Sequence, residues 1–187
     1  MPNDYFQVLQ VPRGPWLDES VLRESFQRLA AVAHPDLAGG SNARFAELNA
    51  AWQTLREPAA RLRHYLELEH PETLSALQHT PTELSELFMD IADKQQTASR
   101  LLAELGNATS PLARALLEPR RVALRKQIQA LAVQIAEQTG AIHGALQGDA
   151  LAPAGLAAGL NQLVFLDKWA EQVRETALAL DQANLSR

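Results

Sequence analysis

The 187 residues are 47% hydrophobic and 21% charged, with a formal net charge of -5; this is the balance of a folded chain and it disfavours attraction to nucleic-acid phosphate, which needs clustered Lys and Arg. The absence of cysteine removes disulfides, thiolate metal sites and a thiol nucleophile. The start of the chain has no basic segment leading into an apolar run, and no stretch approaches the roughly 18 apolar residues of a membrane span, so the expected setting is cytoplasmic, without a membrane partner. Aromatics are only 5% and Val and Ile are sparse beside Ala, Leu, Gln, Glu and Arg, which favours helix over strand and gives an expected all-α fold.

In chain order, Asp4 to Leu9 reads as a short turn or helix with Tyr5 and Leu9 available for packing. From Asp18, the apolar positions Leu22, Phe26, Leu29 and Ala33 step by helical intervals. Asp18 is a suitable cap, Glu19 suits the first turn, and Pro35 disfavours helix in the residue before it, so a helix is predicted over 18–33. His34-Pro35-Asp36 then opens a loop containing Gly39-Gly40. Ser41 or Asn42 can cap a second helix with Phe45, Leu48, Trp52 and Leu55 on its inner face, ending near Pro58. The matching apolar stripes predict an antiparallel hairpin. A further helix over 59–68 turns Leu62, Leu66 and Tyr65 inward.

Pro71 and Pro81 interrupt the periodicity and mark a linker over 73–81 between a first unit, 1–72, and a second, 82–187. The second contains three long helical stretches, near 82–105, 112–147 and 156–184, expected to form a three-helix bundle. Pro119 is expected to kink the middle stretch or to mark where its regular helix begins. Glu118, Arg120, Arg121, Arg125 and Lys126 read as a solvated charged face with helix-spaced ion pairs. At 100° per residue, Leu84, Leu87, Ile91, Ala98, Leu102 and Leu105 define the inner face of the first bundle helix, with Phe88 at its edge and Met89 and Ala92 farther round. In the last helix Leu156, Leu160, Leu163, Ala170, Val173 and Ala177 define the inner face and Phe165 points away from it. His64, His70, His79 and His143 lack metal-ligand spacing, and no phosphate-binding glycine loop, hydrolytic triad or carboxylate pair is evident. The reading therefore includes no cofactor, no metal site and no enzyme activity.

The His-Pro-Asp loop between antiparallel helices, preceded by Asp4-Tyr5-Phe6 and Leu9, resembles a J-domain. The run Leu48-Asn49-Ala50-Ala51-Trp52-Gln53-Thr54-Leu55-Arg56 with Pro58, Arg61, Tyr65-Leu66 and Leu68, together with Phe88-Met89 and Phe165-Leu166-Asp167-Lys168, is similar to the co-chaperones of the HscB type. The resemblance implies a J-domain over 1–72 whose His34, Pro35 and Asp36, with Arg23 and Arg28, dock on a DnaK/HscA-type ATPase chaperone. It implies a client-binding bundle over 82–187, with Phe88, Met89, Ala92, Asp93, Gln96 and Phe165 contacting an IscU-type iron–sulfur cluster scaffold. Only two basic side chains occupy the helix before the loop, so steering toward an acidic surface should be reduced. A J-like helical adaptor without ATPase stimulation, or with another client, is the alternative reading.

Overall fold

A computed structural model describes residues 3–34, 41–76, 81–148 and 151–185. The described residues are all-α: α1 (Tyr5–Leu9), α2 (Glu19–Ala33), α3 (Asn42–Arg56), α4 (Pro58–Glu69), α5 (Ser85–Asn107), α6 (Pro111–Leu146) and α7 (Pro153–Leu185), with short 3-10 turns at Pro71–Ala76 and Thr82–Leu84. The chain divides into two compact units, Met1–Gln78 with Ile142–Asn161, and His79–Ala141 with Gln162–Arg187.

In the first unit, each helix start has an identifiable cause. The Asp4 carboxylate accepts from the N–H groups of Phe6 (3.1 Å) and Gln7 (3.2 Å), satisfying donors that have no partner inside α1. Asp18 does the same for Ser20 at 2.7 Å, and Ser41 Oγ accepts from Arg44 N–H at 3.5 Å to open α3. Glu57 is extended (φ -87°, ψ 118°) because Pro58 follows it, and Pro58 starts α4 where a missing N–H costs nothing. α2 and α3 form the helical hairpin and α1 packs across it. Phe6, Leu9, Leu22, Leu48, Ala51 and Leu55 form its buried centre, flanked by Tyr5, Phe26, Leu29, Trp52 and Tyr65. Leu62 and Leu66 of α4 are also fully buried. Each such Leu or Phe contributes about 1.5–3 kcal/mol through removal of apolar surface from water.

In the second unit, α5, α6 as far as Ala141 and α7 from Gln162 form a three-helix bundle. Arg121, Leu124, Ile128, Leu131 and Ile135 are buried along α6, a three-four alternation that keeps one face inward. α5 contributes Ile91, Ala98 and Leu101, and α7 contributes Leu163, Leu166, Trp169, Val173 and Leu180.

Three expectations need correction. α6 runs without interruption from 111 to 146 with Pro119 inside it, so the proline does not begin the regular helix. The α6 charges are not simply a solvated face: Arg121 is buried and donates to the Leu180 carbonyl at 3.0 Å, while Arg125 pairs with Asp181 at 3.0 Å and Arg120 with Glu104 at 2.5 Å. In α7, Ala170 is exposed, and Leu166 and Trp169 are buried instead. Its buried face shifts by roughly 100° between Leu156–Leu160–Leu163 and Leu166–Trp169–Val173–Leu180, given 100° per residue, so no single stripe describes it.

Candidate functional site

Two surfaces collect the residues singled out from the sequence. The first is the tip of the α2–α3 hairpin. Helix α2 stops at His34, which turns to extended geometry (φ -57°, ψ 129°) ahead of Pro35, and the N–H of Ser41 returns to the Ala33 carbonyl at 3.3 Å, closing the two helix ends on each other. His34 is exposed, with its ring edge-on to that of Phe45 at 5.4 Å. Pro35 and Asp36 lie outside the described residues.

Neither arginine of α2 extends simply into solvent. Arg23 pairs with Glu19 one turn earlier. The Arg28 guanidinium donates to Gln10 Oε1 at 3.0 Å and Ser25 Oγ at 3.1 Å, and the buried Ser25 hydroxyl donates to the Leu9 carbonyl at 2.5 Å. Arg28 thus braces α2 against the end of α1, where Gln10 holds a left-handed conformation (φ 54°) that side chains other than glycine adopt at a cost of about 1 kcal/mol.

The second surface lies on α5 and α7. Phe88 is 43% exposed and Met89 65% exposed, and Ala92, Asp93 and Gln96 are exposed beside them. Phe165 is half-buried rather than directed away from the core. The cause is Trp169, one helical turn on: its buried indole lies 5.7 Å from the Phe165 ring and 5.8 Å from the Phe88 ring. Trp169 therefore supports both phenylalanines from beneath, and Met89 projects furthest. Asp93 is paired with Lys94 at 2.8 Å, an interaction that holds the lysine pKa above its ordinary value.

A cavity lined in part by Leu102, Leu105, Thr109, Arg114 and Glu118 contains none of the predicted site residues. Among the described residues no group of three or more His, Cys, Asp or Glu could hold a metal ion, and no helix is long and apolar enough to cross a membrane.

Residues 4–65 match the family model of the DnaJ domain. The chain carries a J-domain.

The chain is 36% identical across 79 residues to a tetratricopeptide repeat and J domain-containing co-chaperone of Cryptococcus neoformans, a match that covers 42% of this chain and 15% of that protein. It is 39% identical across 66 residues to the chaperone protein DnaJ of Gloeothece citriformis, covering 34% of this chain and 17% of that one. The match thus spans less than a fifth of the length of either relative. Chaperone HscB from Vibrio cholerae is similar over 92% of this chain and 96% of its own, with a TM-score of 0.50 and 21% identity, a likeness of fold that includes the bundle beyond the J-domain.

Sequence periodicity missed the polar side chains that tie the J-domain together. Arg61 is buried and donates to the carbonyls of Leu55 (2.9 Å) and Pro15 (3.3 Å). His64 is buried against the rings of Tyr5 and Phe6. Arg13 joins Asp4 at 2.6 Å and Glu69 at 2.8 Å, linking the start of α1 to the end of α4. An Arg or His inside an otherwise inward-facing stripe was the available signal, since such groups are seldom buried without partners.

Proposed function

We propose that this protein is a co-chaperone of the HscB type. Its J-domain, 1–72, stimulates the ATPase of a DnaK/HscA-type chaperone through His34, Pro35 and Asp36, supported by Arg23 and Arg28. Residues 73–81 act as a linker, and the bundle, 82–187, presents a client through Phe88, Met89, Ala92, Asp93, Gln96 and Phe165. The client is an IscU-type iron–sulfur cluster scaffold. The observation carrying this reading is the exposed His34 at the closed tip of a J-domain hairpin, in a chain whose second unit separately exposes Phe88 and Met89. The fold likeness to HscB along nearly the whole chain supports the pairing of the two functions.

The mechanism needs no covalent chemistry in this chain. The exposed His34 imidazole can hydrogen-bond to the partner, and a proline after it restricts the backbone angles that must be ordered on docking. The client face supplies apolar contact through a flexible methionine and a supported aromatic ring. Single-turnover ATP hydrolysis by the DnaK-type chaperone of the same organism tests the docking half. Wild type should accelerate hydrolysis, and His34→Gln, with helicity unchanged by circular dichroism, should not. Equal acceleration by both proteins would overturn the assignment.

A further inference from the structure

We propose that the outer face of α6 is a self-association surface, on which a second copy of this chain lays its own α6 antiparallel, with Leu116 of each copy seated on Gly140 of the other. The bundle core takes the side of α6 that holds Leu124, Ile128, Leu131 and Ile135. At 100° per residue, the opposite side is a strip about 120° wide. It begins with Leu112, Ala115, Leu116, Pro119, Val122 and Ala123, all exposed, with no polar side chain among them. Leu112 and Leu116, one turn apart, are 71% and 70% exposed. Farther along, the strip passes Lys126, then Ala130 and Val133 beside Gln134, then Glu137 and Gly140.

The fold itself gives no reason for Gly140. It lies inside α6, where glycine weakens a helix relative to alanine, and a Cβ built on it would meet nothing within 4 Å. Bare backbone on an exposed strip admits a large side chain from outside, and Leu116 is the large side chain that the same strip offers. The two meet when two copies of α6 run antiparallel about a two-fold axis at the level of residue 128. Leu116 then faces Gly140 of the second copy and Val133 faces its Ala123, each contact occurring twice. The charges choose the same direction. Residues 111–128 hold the bases Arg114, Arg120, Arg121, Arg125 and Lys126 against the one acid Glu118, whereas residues 129–141 hold Glu137 and no Lys or Arg. Parallel helices would set two basic halves side by side; antiparallel ones set each basic half against the Glu137 half of the other. Residues 115–141 overlap their copy over roughly 40 Å, and a strip about 10 Å broad gives on the order of 400 Å² per copy. Stable complexes bury about 800 Å² per partner, so this dimer is weak, with a Kd of about 10–100 µM.

The chain has no cysteine, so single introduced cysteines report the geometry without interference. Leu116→Cys and Gly140→Cys proteins, mixed at about 100 µM with copper phenanthroline as oxidant, should crosslink to each other, because facing positions lie within reach of a disulfide. Leu116→Cys alone should not, since its two copies of Cys would stand roughly 36 Å apart along the axis. Sedimentation equilibrium of the unaltered protein from about 5 to about 500 µM should show the mass rising from 20.5 kDa toward twice that value. Gly140→Leu should raise stability to denaturant, as nothing obstructs the new side chain, and still weaken association about tenfold or more. That opposition separates loss of the contact from loss of the fold. A monomeric mass at every concentration, equal crosslinking in the mixture and in Leu116→Cys alone, or undiminished association of Gly140→Leu would overturn the inference.

Discussion

The backbone N–H of Tyr5 donates to Nε2 of His64 at 3.1 Å, joining the first turn of α1 to α4 across 59 residues of sequence. An acceptor Nε2 carries no proton, so the neutral ring has its hydrogen on Nδ1, which faces Glu67 at 3.9 Å. Burial pulls the His64 pKa down; Glu67 and Asp4 oppose this and Arg13 adds slightly to it, and burial prevails. The imidazole therefore acts as a neutral packing element that also satisfies a helix-start donor.

A pH dependence follows from that arrangement. The unfolded chain protonates His64 near pH 6.5, whereas the folded chain resists until a lower pH, so between the two values the unfolded state binds more protons and stability rises with pH. The His64 contribution is fully present above about pH 6.5 and is lost as pH falls toward the folded value. Denaturant titrations at several pH values should show this slope, and His64→Ala should remove it. The substitution should also cost about 2–3 kcal/mol, through the unsatisfied Tyr5 N–H and lost ring contacts. An unchanged slope in the variant would assign the dependence to other groups. Asp4 acts at lower pH: burial raises its pKa, but Arg13 and the N–H groups of Gln7 and Phe6 more than offset this, so its contribution is lost only as pH falls below the ordinary carboxylate range.

The α2–α3 hairpin was legible in the sequence because its determinants are local. Leu22, Phe26 and Leu29, and Phe45, Leu48 and Leu55, declare their helix faces, and Asp18 and Ser41 act at the starts they mark. The hydrogen-bond partners of His64 and Arg61 were not legible, because Tyr5 N–H and the Pro15 carbonyl are 59 and 46 residues away. Helix α7 failed for a different reason. Its alanines and leucines populate most of its circumference, so angular bookkeeping could not foresee that the buried face moves round to Trp169 and exposes Ala170. The same bookkeeping placed Met89 outside correctly, since α5 has a single apolar face.

Pro119 should be removable with a gain in stability. It lies inside continuous helix, where it has no N–H to give to the carbonyl four residues earlier, a defect of about 3 kcal/mol in an unrelieved helix. Pro119→Ala should stabilise the protein by about 1–3 kcal/mol, measured as a raised denaturation midpoint. A lowered midpoint would mean that neighbouring packing depends on the proline ring.

Arg121 should be costly to truncate despite belonging to a run of charges. Its guanidinium is buried, donating to the Leu180 carbonyl at 3.0 Å and pairing with Glu118 at 2.6 Å. Arg121→Ala leaves that carbonyl without its donor and should cost about 2 kcal/mol, whereas Arg120→Ala, removing an exposed pair with Glu104, should cost less than about 1 kcal/mol. Chemical denaturation of the two variants would separate an internal tether from a surface pair; equal costs would reject the distinction.

The client face should be tested through Met89 before Phe165. Truncating Phe165 removes a ring packed on Trp169, so a loss of client capture would be mixed with a loss of about 1–2 kcal/mol in stability. Met89 is 65% exposed, and Met89→Ala should leave stability within about 0.5 kcal/mol. If the face holds an IscU-type scaffold, Met89→Ala should weaken its capture about tenfold, the range of a well-packed apolar anchor, and adding Phe165→Ala should weaken it further. Trp169→Ala provides the control: the indole is 3% exposed and underlies both Phe88 and Phe165, so its loss should cost about 3–5 kcal/mol and disorder the face as a whole. Undiminished capture by a fully folded Met89→Ala, Phe165→Ala protein in calorimetry would move the client elsewhere on the bundle.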